Sequence, residues 1–222
     1  MAVVSGRGRR VRPATGAWKD PPMSDTMKSL LALARETVAN PSEGARRILS
    51  LPLPVGVLGP ALLLEVLLSV LLSQLGERIA PSPVDPLMPV FMANPLLTAA
   101  VQAALLVIMV FAIHVIGRGA GGGGDFEGAL RITVWLQFIL LCVQVLQTLF
   151  LILLPPVAGL LGLLGVGLFF WLLSHFIAVL HGFSSPLRVF FMTILSMVGI
   201  VFALSLALTL VGITISGAVP DV

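Results

Sequence analysis

The sequence predicts an all-α fold, an integral membrane five-helix bundle. Three observations carry that prediction. Five apolar runs, Val55–Leu75, Leu96–Ile116, Ile132–Leu154, Val157–Leu180 and Val189–Ile213, stand in order along the chain. Each is long enough to cross a bilayer, since a helix rises roughly 1.5 Å per residue through hydrocarbon roughly 30 Å thick. Hydrophobic residues make up 58% of the chain and charged residues 10%, with a mean hydropathy of +1.09, which excludes a soluble domain. Finally, Lys and Arg fall on alternate loops: twelve on the N-terminal arm and the second and fourth loops, against Arg78 alone on the other side. Positive loops stay cytoplasmic, so the N-terminus is expected in the cytoplasm and the C-terminus outside.

Residues 1–22, rich in Gly, Arg and Pro, read as a disordered basic segment. Beside a membrane, anionic lipid headgroups are the expected counter-charge for it, and no nucleic acid is expected. Residues 23–52 form a predicted cytoplasmic amphipathic arm. Ser24–Val38 sets Leu30, Leu31, Leu33 and Ala34 among Lys28, Arg35 and Glu36, a helix lying on the membrane face. A second helix starts at Asn40-Pro41-Ser42-Glu43, with Asn40 as the expected cap. Its Ala45, Ile48 and Leu49 share a face, and Arg46 and Arg47 are expected at headgroup level. The five-span domain covers residues 53–216. Its first span is too long for a signal core and lacks a small-x-small cleavage site, so it is expected to remain.

Six glycines in Gly117–Gly124 join the second and third spans. No Gly-Lys-Ser/Thr follows, so this is no phosphate loop, and a flexible connection is expected. Asp125 is the expected cap of the third span, with Glu127 in its first turn. Arg118, Arg131 and Arg188 complete the set of expected headgroup or partner contacts. Gly159, Gly162, Gly165 and Gly167 should let a neighbouring helix approach the fourth span closely.

Polar residues at membrane depth call for a partner or a role. Glu65 and Gln144 lie at the midplane; Gln137 and His175 lie roughly 9–10 Å toward the cytoplasm, and Gln102 and Gln147 roughly 6 Å toward the outside. Depth therefore matches them in three pairs. Gln137, Gln144 and Gln147 share one helical face within about 60°, a polar stripe toward the bundle centre. The plain expectation is interhelical hydrogen bonding, each bond contributing about 0.6–2 kcal/mol. The sharper one is a proton or solute path through Glu65 and His175. His114 and His181 sit near span ends, where no special role is needed, and no metal site, cofactor or catalytic group is read from the spacing.

The arm, the five spans, the run Asp125-Phe126-Glu127-Gly128-Ala129-Leu130-Arg131 and the run His181-Gly182-Phe183-Ser184-Ser185 together resemble bacterial members of the Yip family, the Ypt/Rab-interacting membrane proteins. The resemblance covers residues 28–213. Of the eukaryotic Asp-Leu-Tyr-Gly-Pro signature only Leu58-Gly59-Pro60 is echoed, and with no tyrosine in the chain a Gly-Tyr pair has no counterpart, though Trp135 lies nearby. The resemblance implies a multi-pass protein of the bacterial cytoplasmic membrane. For bacterial members it implies no assigned activity; with so little chain outside the bilayer, a non-catalytic scaffold or accessory subunit is expected, bound to lipid and to a membrane-protein partner or a second copy. Transport through the polar interior and an adaptor role for a prenylated GTPase are the rival expectations, and a small-molecule substrate is not supported.

Overall fold

The computed structural model describes residues 23–81 and 94–210. The predicted disordered segment, the first inter-span loop and the last residues of the fifth span lie outside them. Seven helices and no strand make up the described residues: α1 Met23–Ala39, α2 Pro41–Ser50, α3 Val55–Ile79, α4 Pro95–Gly119, α5 Phe126–Leu153, α6 Pro155–His181 and α7 Pro186–Leu210. Helices α3 to α7 are the five long enough and apolar enough to cross a membrane.

Except for α3, which starts with its run at Val55, the spanning helices begin before their apolar runs do. The hydropathy signal marks what sits in hydrocarbon, whereas the backbone starts where its first N–H groups find acceptors. Asp125 accepts from Gly128 N at 2.8 Å to start α5, as expected, and Asn94 does the same for α4 by accepting from Leu97 N at 3.0 Å. Pro95 and Pro155 occupy first-turn positions of α4 and α6, where a missing N–H costs nothing. Asn40 is different. It holds the cap position of α2, but its side chain makes no capping bond. Pro41 has already removed one N–H that would need an acceptor.

Short α4–α5, α5–α6 and α6–α7 connections make those helices reverse, and α1, α2, the start of α3, the α4–α5 loop and the α6–α7 loop gather at one end. Helix α5 is central and packs on α2, α3, α4 and α6; α7 packs chiefly on α6. Its only buried apolar residue among the described ones is Val189. The core is concentrated at the α1–α2 end. Every buried residue of α5 lies between Gly128 and Ile139, and those of α6, Ala158 apart, lie between Leu172 and His181.

Helix α2 belongs to that core. Ala45 and Ile48 are buried against the bundle, so the apolar face expected to lie on lipid faces the protein instead. Gly44 lets α1 and α2 touch: a Cβ there would stand 2.5 Å from Thr37 Oγ1.

Candidate functional site

At the α1–α2 end three polar ties fasten the arm and the loops to the spans. The first is Arg131. Its Nη1 donates to the Leu49 carbonyl at 2.9 Å and its Nη2 to the Leu53 carbonyl at 3.2 Å, while Glu127, one turn earlier on α5, pairs with Nη2. Carbonyls at the end of a helix lack intrahelical donors, and Arg131 supplies them for the end of α2 and the linker beyond it. The loop charge count predicts a headgroup contact for Arg131. The structure corrects this: α5 begins at Phe126, which places Arg131 inside the helix with its side chain only 13% exposed.

The second tie joins α1 to α5. Trp135 Nε1–H donates to Thr37 Oγ1 at 3.2 Å, and Thr37 in turn donates to the Leu33 carbonyl at 2.8 Å. Both residues are buried, and the indole stacks on Phe138 at 5.3 Å between centroids. A buried indole N–H needs such an acceptor.

The third tie is His181, the last residue of α6. Its ring sits in a cradle made by the glycine loop: an added Cβ would come within 2.2 Å of the ring at Gly117, 2.6 Å at Gly122 and 2.8 Å at Gly124. Gly123 N–H donates to the His181 carbonyl at 3.2 Å, and Gly121 reverses the loop at φ 89°. Gly182, at φ 74°, ends α6 in the left-handed conformation that suits glycine. His181 Nδ1 donates to the Ile177 carbonyl at 3.2 Å, and its Nε2 is buried with no partner among the described residues. Both the flexible connection and the incidental histidine are thereby corrected. Gly117, Gly122 and Gly124 are small because an imidazole fills the space, whereas Gly119, Gly121 and Gly123 face open space.

Within the spans, depth matching identifies the level but not the partner. Gln144 bonds Ser69 twice: the Ser69 hydroxyl donates to Gln144 Oε1 at 2.8 Å, and Gln144 Nε2 donates to the Ser69 carbonyl at 2.9 Å. Ser69 is one turn from Glu65 on α3. Glu65 itself is buried, and its Oε2 has no hydrogen-bond partner among the described residues. His175 Nδ1 donates to the Trp171 carbonyl at 2.8 Å and its ring lies 4.2 Å from that of Trp171, so it stays on its own helix and does not bond Gln137. No hydrogen bond joins Gln102 to Gln147 among the described residues. Gln147 instead packs on Gly162, where a Cβ would stand 2.9 Å from Nε2, and Val143 packs on Gly165. Gly159 and Gly167 face open space, so only two of the four glycines serve close packing.

The remaining predicted contacts lie at the surface. Lys28 pairs with Asp25, Arg46 with Glu43, and Arg47 with Glu36 across α1 and α2 at 2.9 Å. Arg35, Arg118 and Arg188 are exposed. No group of three or more His, Cys, Asp or Glu is placed to hold a metal ion among the described residues. Sequence reasoning missed Ser69, Thr37 and the cradle role of the loop. Only the Trp135 position carried a signal, as an aromatic with a donor that burial would oblige to find an acceptor.

A family model described as the Yip1 domain matches residues 35–208. No curated protein and no solved structure matches the chain.

Proposed function

The chain belongs to the Yip1 family, and from that premise we propose that it works as a non-catalytic scaffold or accessory subunit that binds a membrane partner or organises lipid. The observation that carries the reading is the unequal burial along α5 and α6. At the α1–α2 end Arg131, Thr37, Trp135 and His181 are turned inward and hold the chain's own helices together. The far half of the same helices leaves Leu146, Leu149, Leu160, Leu163 and Leu164 exposed. A bundle so divided offers a rigid base and an apolar upper surface, on which lipid or a partner helix can pack. Its setting in this reading is a bacterial cytoplasmic membrane with the α1–α2 end in the cytoplasm. That orientation is supported by Lys28, Arg35, Arg46, Arg47, Arg118, Arg131 and Arg188 at that end against Arg78 at the other.

The test is purification of a tagged chain from native membranes into nanodiscs, with mass spectrometry of what co-elutes. A stoichiometric membrane protein, lost when Leu163 and Leu164 are replaced by polar residues, supports the reading. A lone chain carrying neither a partner nor selected lipid removes it.

One observation favours a second reading, transport of a proton or small solute: the Glu65 carboxylate is buried at mid-span with an unpartnered oxygen. In that case Glu65→Gln abolishes flux in proteoliposomes while leaving unfolding unchanged, and unaltered flux rejects it.

A further inference from the structure

An apolar groove of about 260 Å³ runs between α4 and α7, floored by α6. Ile108 and Ile113 line it from α4, Phe170 and Leu173 from α6, and Met192 and Ile200 from α7. Along α4 it extends from Leu105 to Gly117, roughly 18 Å at the helical rise per residue. That is close to one leaflet, half of a hydrocarbon core roughly 30 Å thick. The groove suits a single extended hydrocarbon chain.

The end of the groove nearest α1 and α2 is electrically distinct. Gly117 and Val189 line it there, and the residues next to them are Arg118 and Arg188, both exposed. Neither has an ion-pair partner among the described residues, because the carboxylates of this end are already engaged. Asp25 holds Lys28, Glu36 holds Arg47, Glu43 holds Arg46, Glu127 holds Arg131, and Asp125 caps α5. Residues 1–22 do not supply the missing charge, since they carry Arg7, Arg9, Arg10, Arg12 and Lys19 against Asp20 alone. The N-terminal end of α7 adds the positive end of a helix dipole.

We propose that this groove is a binding site for an anionic phospholipid. One acyl chain lies between α4 and α7, and the phosphate sits between Arg118 and Arg188. The site deepens the lipid-organising side of the scaffold reading and rests on it. A zwitterionic lipid fills the groove equally well but gains less from the two arginines. Each arginine near an anionic group is worth a factor of roughly five, so the pair gives roughly 20–30-fold selectivity.

The test is native mass spectrometry of the full-length purified protein with added phosphatidylglycerol or phosphatidylcholine of identical chains. Phosphatidylglycerol is expected to be retained roughly 20–30-fold better, and the R118Q/R188Q double variant to bring the two lipids near parity. Arg35→Gln removes an equal charge away from the groove and leaves the preference intact. Thr193→Phe fills the groove and lowers retention of both lipids by at least about tenfold. Ala112→Phe does the same from the opposite wall, should the first variant fail to fold. Equal retention of the two lipids overturns the proposal, as does selectivity indifferent to the arginines. Phosphatidylglycerol retention that is undiminished in both groove-filling variants overturns it too, because attraction then acts at the surface alone. So does a photo-crosslinker at Ile200 that captures a protein helix instead of lipid in native membranes. If lipid fails to bind while a stoichiometric partner still co-elutes, this inference falls and the scaffold reading stands.

Discussion

The α1–α2 end and the far end of the bundle are made of the same helices and much the same residues, yet they pack differently. In α5, Ala129, Ile132, Leu136 and Ile139 are buried, whereas Val145, Leu146, Leu149 and Ile152 of the same helix are exposed. Apolarity does not distinguish the two stretches. What distinguishes them is the presence of directional bonds, Arg131 to the α2 carbonyls, Trp135 to Thr37 and the loop to His181, together with α1 and α2 as a further layer. Lipid tails are as apolar as leucine, so burial alone gives membrane helices little reason to associate. The comparison teaches that the bundle closes most fully where three polar ties act together with α1 and α2. It closes less fully beyond mid-span, where the Gln144–Ser69 bonds and the contacts on Gly162 and Gly165 act without that added layer.

The severest way to break that contrast is to crowd the cradle. Gly117→Ala puts a methyl 2.2 Å from His181 Nε2 and should cost about 3 kcal/mol or more, read as a lowered unfolding midpoint in nanodiscs. The G117A/H181A double variant should recover part of the loss, and a fully additive cycle would sever the link between loop and ring. Next comes Arg131→Met, which leaves the Leu49 and Leu53 carbonyls without their donors. A loss of about 2–3 kcal/mol is expected, and α1 and α2 should gain hydrogen exchange before the spans do. Gln144→Leu removes the double bond to Ser69 near mid-span and should cost about 1 kcal/mol. A cost matching that of Arg131→Met would show that the far half depends on polar ties as much as the near half. The smallest effect is expected from Leu163→Ala, about 0.5 kcal/mol or less in the isolated chain, because Leu163 is 70% exposed.

Much of the fold was legible because hydropathy over 20 residues is a strong, local signal. The cap at Asp125 belongs to the same category, a short polar residue followed three positions later by the N–H it satisfies. The candidate site was legible only in level. Depth along a span is a one-dimensional quantity, and it matched Gln144 to within a turn of the residue it meets on α3. Which residue it meets depends on how α3 and α5 are rotated, and that rotation presents Ser69 instead of Glu65. Arg131 was misjudged for a related reason. A charge adjoining an apolar run reads as a loop residue, whereas here the helix had started before the run and turned the side chain toward α2. The glycine loop gave composition without meaning, since nothing in its spacing says that a histidine 57 positions beyond Gly124 occupies the space.

The arm also sets the order in which the protein is made. Thr37 meets Trp135 across 98 positions and Leu49 meets Arg131 across 82. At roughly 5–20 residues per second, the ribosome needs about 5–20 s to deliver the second partner of each pair. During that interval α1 and α2 are a core layer with nothing to cover, their Ala45 and Ile48 bare and their polar groups unanswered. Assembly is therefore completed backwards: the first helices synthesised are among the last to dock, and the arm closes the bundle only once α5 and α6 have been inserted.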